Sequence, residues 1–216
     1  MNTDAKKIKL PKWLPVAVLV VGVLGGAVWL WEDVLEDRLI PKRWAAVEGH
    51  DFYRSGQLSA RLIKKMLVRH NIQVIVALTG RDPKDRDQEA EEKAAAELGI
   101  ELHRFPLTGD GTGDIQQYAG ALATLIQAER QGRTALIHCA AGVQRTGGTI
   151  AFLRLLVDKR DAADVVRELR RHGWRPRRNP HLLPYLNENL PRLAAILRDQ
   201  GLFDEIPNPL PVLQTP

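Results

Sequence analysis

A chain of 216 residues, 44% hydrophobic and 26% charged, has enough apolar surface for a packed core, which excludes a disordered or fibrous class. Its length suits one domain of about 150 residues with appendages. One cysteine excludes an intramolecular disulfide, and six scattered histidines form no ligand cluster, so neither a metal nor another cofactor is expected.

Residues 1–12 are basic, with Lys6, Lys7, Lys9 and Lys12. Residues 13–31, WLPVAVLVVGVLGGAVWLW, carry no charge. As a helix this run reaches about 28 Å, close to the hydrocarbon thickness of about 30 Å. Trp13, Trp29 and Trp31 stand at its ends, where amphipathic rings favour the interface, and its glycines suit a spanning helix. One N-terminal transmembrane helix is therefore expected. A cleaved signal peptide competes, but its apolar core is usually about 7 to 15 residues and ends at a small-residue site absent here. Arg38, Lys42 and Arg43 after the run nearly balance the lysines before it, so the side taken by the rest of the chain stays open. Residues 32–50 then read as a juxtamembrane connector, a solvated spacer stopped by Pro41.

A globular domain follows over 51–203. Phe52 to Gln57 reads as a short strand and turn, and Leu58 to His70 as a helix with Leu62, Ile63, Met66 and Leu67 on one face. The apolar run Ile72 to Leu78 is a strand buried on both faces. Asp85 to Leu98 is a charged helix stopped by Gly99. Strands at Ile100–Leu107 and Thr134–His138 flank a long helix over Ile115–Gln131. Helices are expected at Thr146–Lys159, Ala162–His172 and Leu182–Gln200, and a loose Pro-rich tail over 204–216. Strands alternating with helices give an α/β fold, a mainly parallel central sheet flanked by helices on both faces. Its ligand belongs beyond the carboxyl ends of the strands.

The chemistry concentrates in TALIHCAAGVQRTGGTIAF, residues 134–152. Strand, glycine-bearing loop and helix follow one another, with the single cysteine at the strand's end. A thiol attacks as thiolate, and a free Cys near pKa 8.5 is mostly protonated at neutral pH. Backbone N–H groups at a helix N-terminus and a nearby guanidinium favour the anion, and the same amides fit a phosphate. Arg145, six positions after Cys139, can fork two bonds onto a phosphoryl group. The Thr146 hydroxyl can serve the sulfur. Competing with this is a buried structural cysteine.

His138-Cys139-Ala140-Ala141-Gly142-Val143-Gln144-Arg145-Thr146 resembles HCxxGxxRT, the signature of cysteine-dependent protein tyrosine and dual-specificity phosphatases, most of all the compact dual-specificity branch and its bacterial relatives. The resemblance covers roughly residues 50–175 and makes 51–203 a phosphatase domain. It implies Cys139 as nucleophile, Arg145 as phosphate clamp, Thr146 as helper, and His138 as a residue that orients the loop and tunes the thiol. The amides of Ala140, Ala141, Gly142, Val143 and Gln144, with Arg145, would bind the substrate's phosphoryl oxygens. Bacterial relatives often begin with a sequence similar to Tyr53-Arg54-Ser55-Gly56-Gln57. The family's general acid lies on the loop about thirty residues before the cysteine, here Thr108 to Asp114. Asp110 fits better, because Asp114 precedes Ile115 and reads as an N-cap.

These readings predict a phosphoric monoester hydrolase, single-pass in a bacterial inner membrane, with a phosphorylated protein as substrate. A phospholipid or inositol phosphate is the alternative, although the loop interior holds no Lys or Arg. A phospho-binding membrane scaffold is the non-enzymatic alternative. The basic stretch Arg167–Arg178 around Trp174 could contact anionic lipid. Nucleic acid is not expected, for want of a supporting motif.

Overall fold

The structure, a computed structural model, describes residues 40–203 and 205–214 together with Gly22 and Val23. Five strands form one sheet: β1 (Ala45–Val47), β2 (Phe52–Gly56), β3 (Val74–Ala77), β4 (Glu101–Arg104) and β5 (Ala135–Cys139). Their order is β1-β2-β5-β3-β4, antiparallel only between β1 and β2. Six helices cover it: α1 (Ile63–Arg69), α2 (Arg86–Leu98), α3 (Ile115–Arg130), α4 (Gln144–Leu156), α5 (Ala162–Arg171) and α6 (Leu182–Asp199). The mainly parallel sheet with helices on both faces is the architecture expected from the alternating pattern.

Side chains on a strand alternate between faces. In β3 and β5 that alternation sorts the core. Val74, Val76, Ala135, Ile137 and Cys139 face the larger cluster, built with α3, α4, α5 and α6. Ile75 and Leu136 face the smaller one with α1 and α2. β5 lies between β2 and β3 and is buried along its whole length. The outer strand β4 carries Glu101, His103 and Arg104, polar side chains that suit an unpaired edge. Helix starts follow their caps: Asp85 accepts the N–H groups of Asp87 and Gln88, and Asp161 that of Ala163.

Two segments differ from the sequence reading. The connector 32–50 contains β1, where Ala45, Ala46 and Val47 pair with Arg54, Tyr53 and Phe52. Three residues are too few to show a period, yet Val47 is fully buried. The tail is not loose throughout: Leu213 is buried, its N–H donates to Asn187 Oδ1 at 2.8 Å and its carbonyl accepts from Asn187 Nδ2 at 2.9 Å. Within the basic stretch Arg167–Arg178, Trp174 itself is buried in the core, and its indole N–H donates to the Asn179 carbonyl at 3.1 Å.

The run 13–31 lies outside the described residues apart from Gly22 and Val23. Among the described residues no helix is long and apolar enough to cross a membrane.

Candidate active site

Cys139 ends β5, and α4 begins five residues later. The intervening loop is held from outside at three successive carbonyls. Gln57 N–H donates to Ala140 O at 3.1 Å, Arg43 Nη1 to Ala141 O at 2.9 Å, and Arg54 Nη2 to Gly142 O at 3.0 Å. In a trans peptide the N–H points opposite to the C=O. Carbonyls drawn outward therefore turn the N–H groups of Ala141, Gly142 and Val143 toward the loop's interior. The Gly142 N–H does reach the Cys139 sulfur, at 3.1 Å. Gly142 has φ 71°, and a Cβ there would meet Gly56 N at 2.6 Å and Ser55 O at 2.7 Å. Only glycine fits that left-handed, tightly packed position.

Val143, the N-cap residue of α4, makes no side-chain cap, so the amides of the helix's first turn remain for an anion. Cys139 itself is 1% exposed. Burial pushes its thiol up. The hydroxyl and N–H of Thr146, the Arg145 charge and the Gly142 N–H outweigh that and leave it below the ordinary thiol value. The Thr146 hydroxyl is buried with no other partner, which leaves its proton for the sulfur.

Arg145 stands in the first turn of α4. Its Nη1 donates to the Leu78 carbonyl at 3.3 Å, beyond the end of β3, while its buried Nε has no partner. Part of the fork is thus fixed and part is unused. His138 falls on the opposite face of the sheet from Cys139. There its Nε2 lies 2.8 Å from Glu91 Oε1 of α2, with both side chains 1% exposed. The N–H is not aimed at the oxygen, so the contact is an ion pair more than a directed hydrogen bond. Burial lowers the His138 pKa, but the Glu91 carboxylate prevails and the ring is held above its ordinary value.

Asp110 sits on the loop between β4 and α3. Tyr118 donates to Gly111 O at 2.6 Å, Asn179 Nδ2 to Asp110 O at 2.5 Å, and Tyr185 to Gly113 O at 2.8 Å. A Cβ on Gly111 would touch the Gln144 backbone at 3.1 Å, so this loop packs on the start of α4. Asp110 Oδ1 accepts from Thr108 Oγ1, Thr112 N and Thr112 Oγ1 at 2.8, 3.0 and 2.8 Å. The Thr112 N–H, with both hydroxyls, holds its carboxyl below the usual range. Asp114 caps α3, accepting the Gln116 N–H at 3.0 Å.

The fold thus gathers Cys139, Ala140, Ala141, Gly142, Val143, Gln144, Arg145 and Thr146 around one cradle, with the Asp110 loop packed against it. Sequence reasoning missed Lys42, Arg43, Arg54, Glu91, Tyr118, Asn179 and Tyr185. Arg54 did leave a signal: it shares a strand face with buried Phe52, a charge where a core residue is expected. Among the described residues no group of His, Cys, Asp and Glu could hold a metal ion.

The family model described as DSP-PTPase phosphatase fused to NAD+ kinase matches residues 26–178. No curated protein matches the chain. Among solved structures it is similar to TpbA of P. aeruginosa, with 20% identity over 74% of this chain and 99% of that one, TM-score 0.55. It is similar to the core catalytic domain of the PP-IP phosphatase SIW14 from S. cerevisiae, solved with citrate, with 19% identity over 79% and 97%, TM-score 0.57. Likeness to PTPMT1 is 14% identity over 72% and 99%, TM-score 0.56. These structures share the fold, and the family model spans more than half of the chain, which therefore belongs to the DSP-PTPase phosphatase family of the kind described as fused to NAD+ kinase.

Proposed function

We propose that the protein hydrolyses phosphate monoesters through a cysteinyl-phosphate, with phosphotyrosine in proteins, and phosphoserine or phosphothreonine after it, as substrates. One observation carries this reading. A sulfur favoured as the anion by amide and hydroxyl donors lies beside a guanidinium with an unpartnered N–H. A further TpbA structure, of a variant in complex with phosphotyrosine, is 19% identical, and its ligand supports the substrate class.

In the first displacement the Cys139 sulfur forms a bond to phosphorus as the ester P–O bond breaks. The Asp110 proton goes to the leaving oxygen. Arg145 and the loop amides follow the charge on the equatorial oxygens. Water then attacks phosphorus, its proton returns to Asp110, and the S–P bond breaks to restore the thiolate, helped by Thr146. Asp110 must be protonated for the first step, whereas its loop bonds favour the carboxylate. A phosphate dianion entering the cradle acts in the other sense, since a neighbouring negative charge disfavours ionisation of the acid.

Acid-quenched turnover of an aryl phosphate should leave the phosphoryl group on Cys139, and Cys139→Ser should be inactive. A phosphoryl group recovered on another residue, or full activity in Cys139→Ser, would overturn the scheme. The reading also places residues 13–31 in a membrane, supported by their uncharged length. Extraction of the full chain from membranes by alkaline carbonate would overturn that part.

A phospholipid or inositol phosphate substrate is the second reading, and one observation favours it. The loop interior holds no cation, but Arg43 stands at its edge, where its Nη1 holds the Ala141 carbonyl at 2.9 Å. Relative kcat/KM on a phosphopeptide and on a phosphorylated lipid in mixed micelles separates the two readings.

A further inference from the structure

Arg54 is a buried guanidinium whose only hydrogen-bond partner among the described residues is the Gly142 carbonyl. It lies on β2, 1% exposed, directly beneath the phosphate-binding loop. Its Nη2 holds the Gly142 carbonyl, while Nε and Nη1 are buried with no hydrogen-bond partner. A buried guanidinium without an anion is costly, so a compensating negative charge is required nearby. The neighbouring anions are Glu168 on α5 and the sulfur of Cys139. Glu168 is already engaged: Arg154 donates to it through Nε at 2.9 Å and Nη2 at 3.3 Å. That leaves the Cys139 thiolate, which Arg145 and Thr146 also favour, as the second anion facing Arg54, joined to it through Gly142.

We propose that Arg54 is a positioning residue of the nucleophile. It fixes the Gly142 carbonyl so that the loop's amides turn inward, and it supplies the buried positive charge against which the Cys139 thiolate forms. Gly142 is gripped at both ends, by Arg54 at its carbonyl and by the sulfur at its N–H, at 3.0 and 3.1 Å. Ser55 and Gly56 approach Gly142 so closely that no Cβ fits between β2 and the loop, and the Arg54 and Gln57 bonds join the two. This role explains a charged residue at an inward position of a strand. It also accounts for the Arg-Ser-Gly-Gln run as one device: Arg54 and Gln57 hold Gly142 O and Ala140 O, and Gly56 leaves room for the Ala140 carbonyl at 3.0 Å.

Other charged and titratable groups face this pair. Arg145 and the Thr146 hydroxyl on α4 favour the thiolate directly. His138 on β5 lies against Glu91 of α2, whose carboxylate raises its pKa against burial. Tyr118 on α3 lies near the sulfur but stays neutral, because burial raises its pKa well above the ordinary value. Arg154 opposes Arg54, and His172 at the end of α5 is held neutral, its pKa lowered to about 4 by burial and by the Arg54 charge.

The proposal rests on the phosphatase reading of Cys139 only for its kinetic half. The single cysteine permits a direct test on the full-length protein, because thiolate ultraviolet absorbance, blanked against Cys139→Ala, reports one titration. Arg54→Met should raise the titration midpoint by about one pH unit, about tenfold less thiolate at a given pH below it. The acid limb of kcat/KM for an aryl phosphate should move by the same amount. Arg54→Lys should restore most of the midpoint, since it keeps the charge, and less of kcat, since it loses the fork. Glu168→Gln should shift the midpoint downward, a direction that a general loss of packing does not give, and it keeps the test sharp if Arg54→Met fails to fold. An unchanged midpoint in folded Arg54→Met, or an upward shift in Glu168→Gln, would overturn the proposal. Failure of the phosphoenzyme experiment with these thiol shifts intact would sink the reaction scheme and leave the role of Arg54 standing.

Discussion

His138 Nε2 lies 2.8 Å from Glu91 Oε1, behind the sheet face that carries the Cys139 sulfur. The motif's histidine therefore reaches Cys139 only through its field and through the strand backbone. Strand alternation dictates this arrangement: neighbouring residues of β5 must point to opposite sides.

Glu91→Gln removes the charge that raises the pKa of the buried ring. The amide still fills the space, and His138 can shed its proton, so the loss is below that of stranding a fixed ion. Denaturant unfolding should show a loss of about 1–3 kcal/mol near pH 6. The deficit should shrink toward alkaline pH, because a raised histidine pKa contributes stability that fades as pH rises through it. A pH-independent deficit would mean that only packing was lost.

Asp110→Asn should lower kcat on an aryl phosphate about 10²–10⁴-fold, the usual range for a positioned acid. Asp114→Ala should leave kcat nearly unchanged and cost about 1 kcal/mol of stability as a lost N-cap. Reversed outcomes would exchange the two roles.

Tyr118→Phe deletes the bond from Tyr118 to the Gly111 carbonyl while leaving the ring's packing intact. A stability loss of about 0.5–1.5 kcal/mol is expected. Gly148→Ala should cost more, about 1–3 kcal/mol, since a Cβ there would lie 2.7 Å from the Tyr118 oxygen in a buried site. Melting curves of the two variants and the double mutant would show coupling if both act through the Asp110 loop.

His50 bridges Glu129 and Asp158, each at 2.9 Å. The Asp158 bond raises its pKa against burial, with Glu129 adding to the rise. Its contribution is fully present below about 6.5 and is lost as pH rises through the higher folded value. His172 has the opposite sign: its lowered value, about 4, makes stability fall as pH drops from about 6.5 through about 4. His50→Gln should flatten the alkaline slope of the melting temperature, and His172→Gln the acidic one.

Much of the fold was legible because β3, β5 and the helices carry long, regular apolar patterns. The spacing between Cys139 and Arg145 was legible for a different reason: strand, tight loop and helix start fix where six consecutive residues go. The supporting residues were not, because their partners are remote in the chain. Arg54 meets Gly142 across 88 positions, and Arg43 meets Ala141 across 98. No local period encodes such a meeting. The segment around β1 was misread as a spacer because charge and proline dominate its composition while one buried valine determines its place.

The Lys42 carbonyl accepts the Gly56 N–H at the very wall of the cradle. From Trp31 to Lys42 is eleven residues (42 − 31), and a chain of that length reaches at most about 40 Å however it is arranged. Were residues 13–31 the proposed membrane span, the Cys139 cradle would stand within that radius of its end, and a substrate lying farther off would have to approach it.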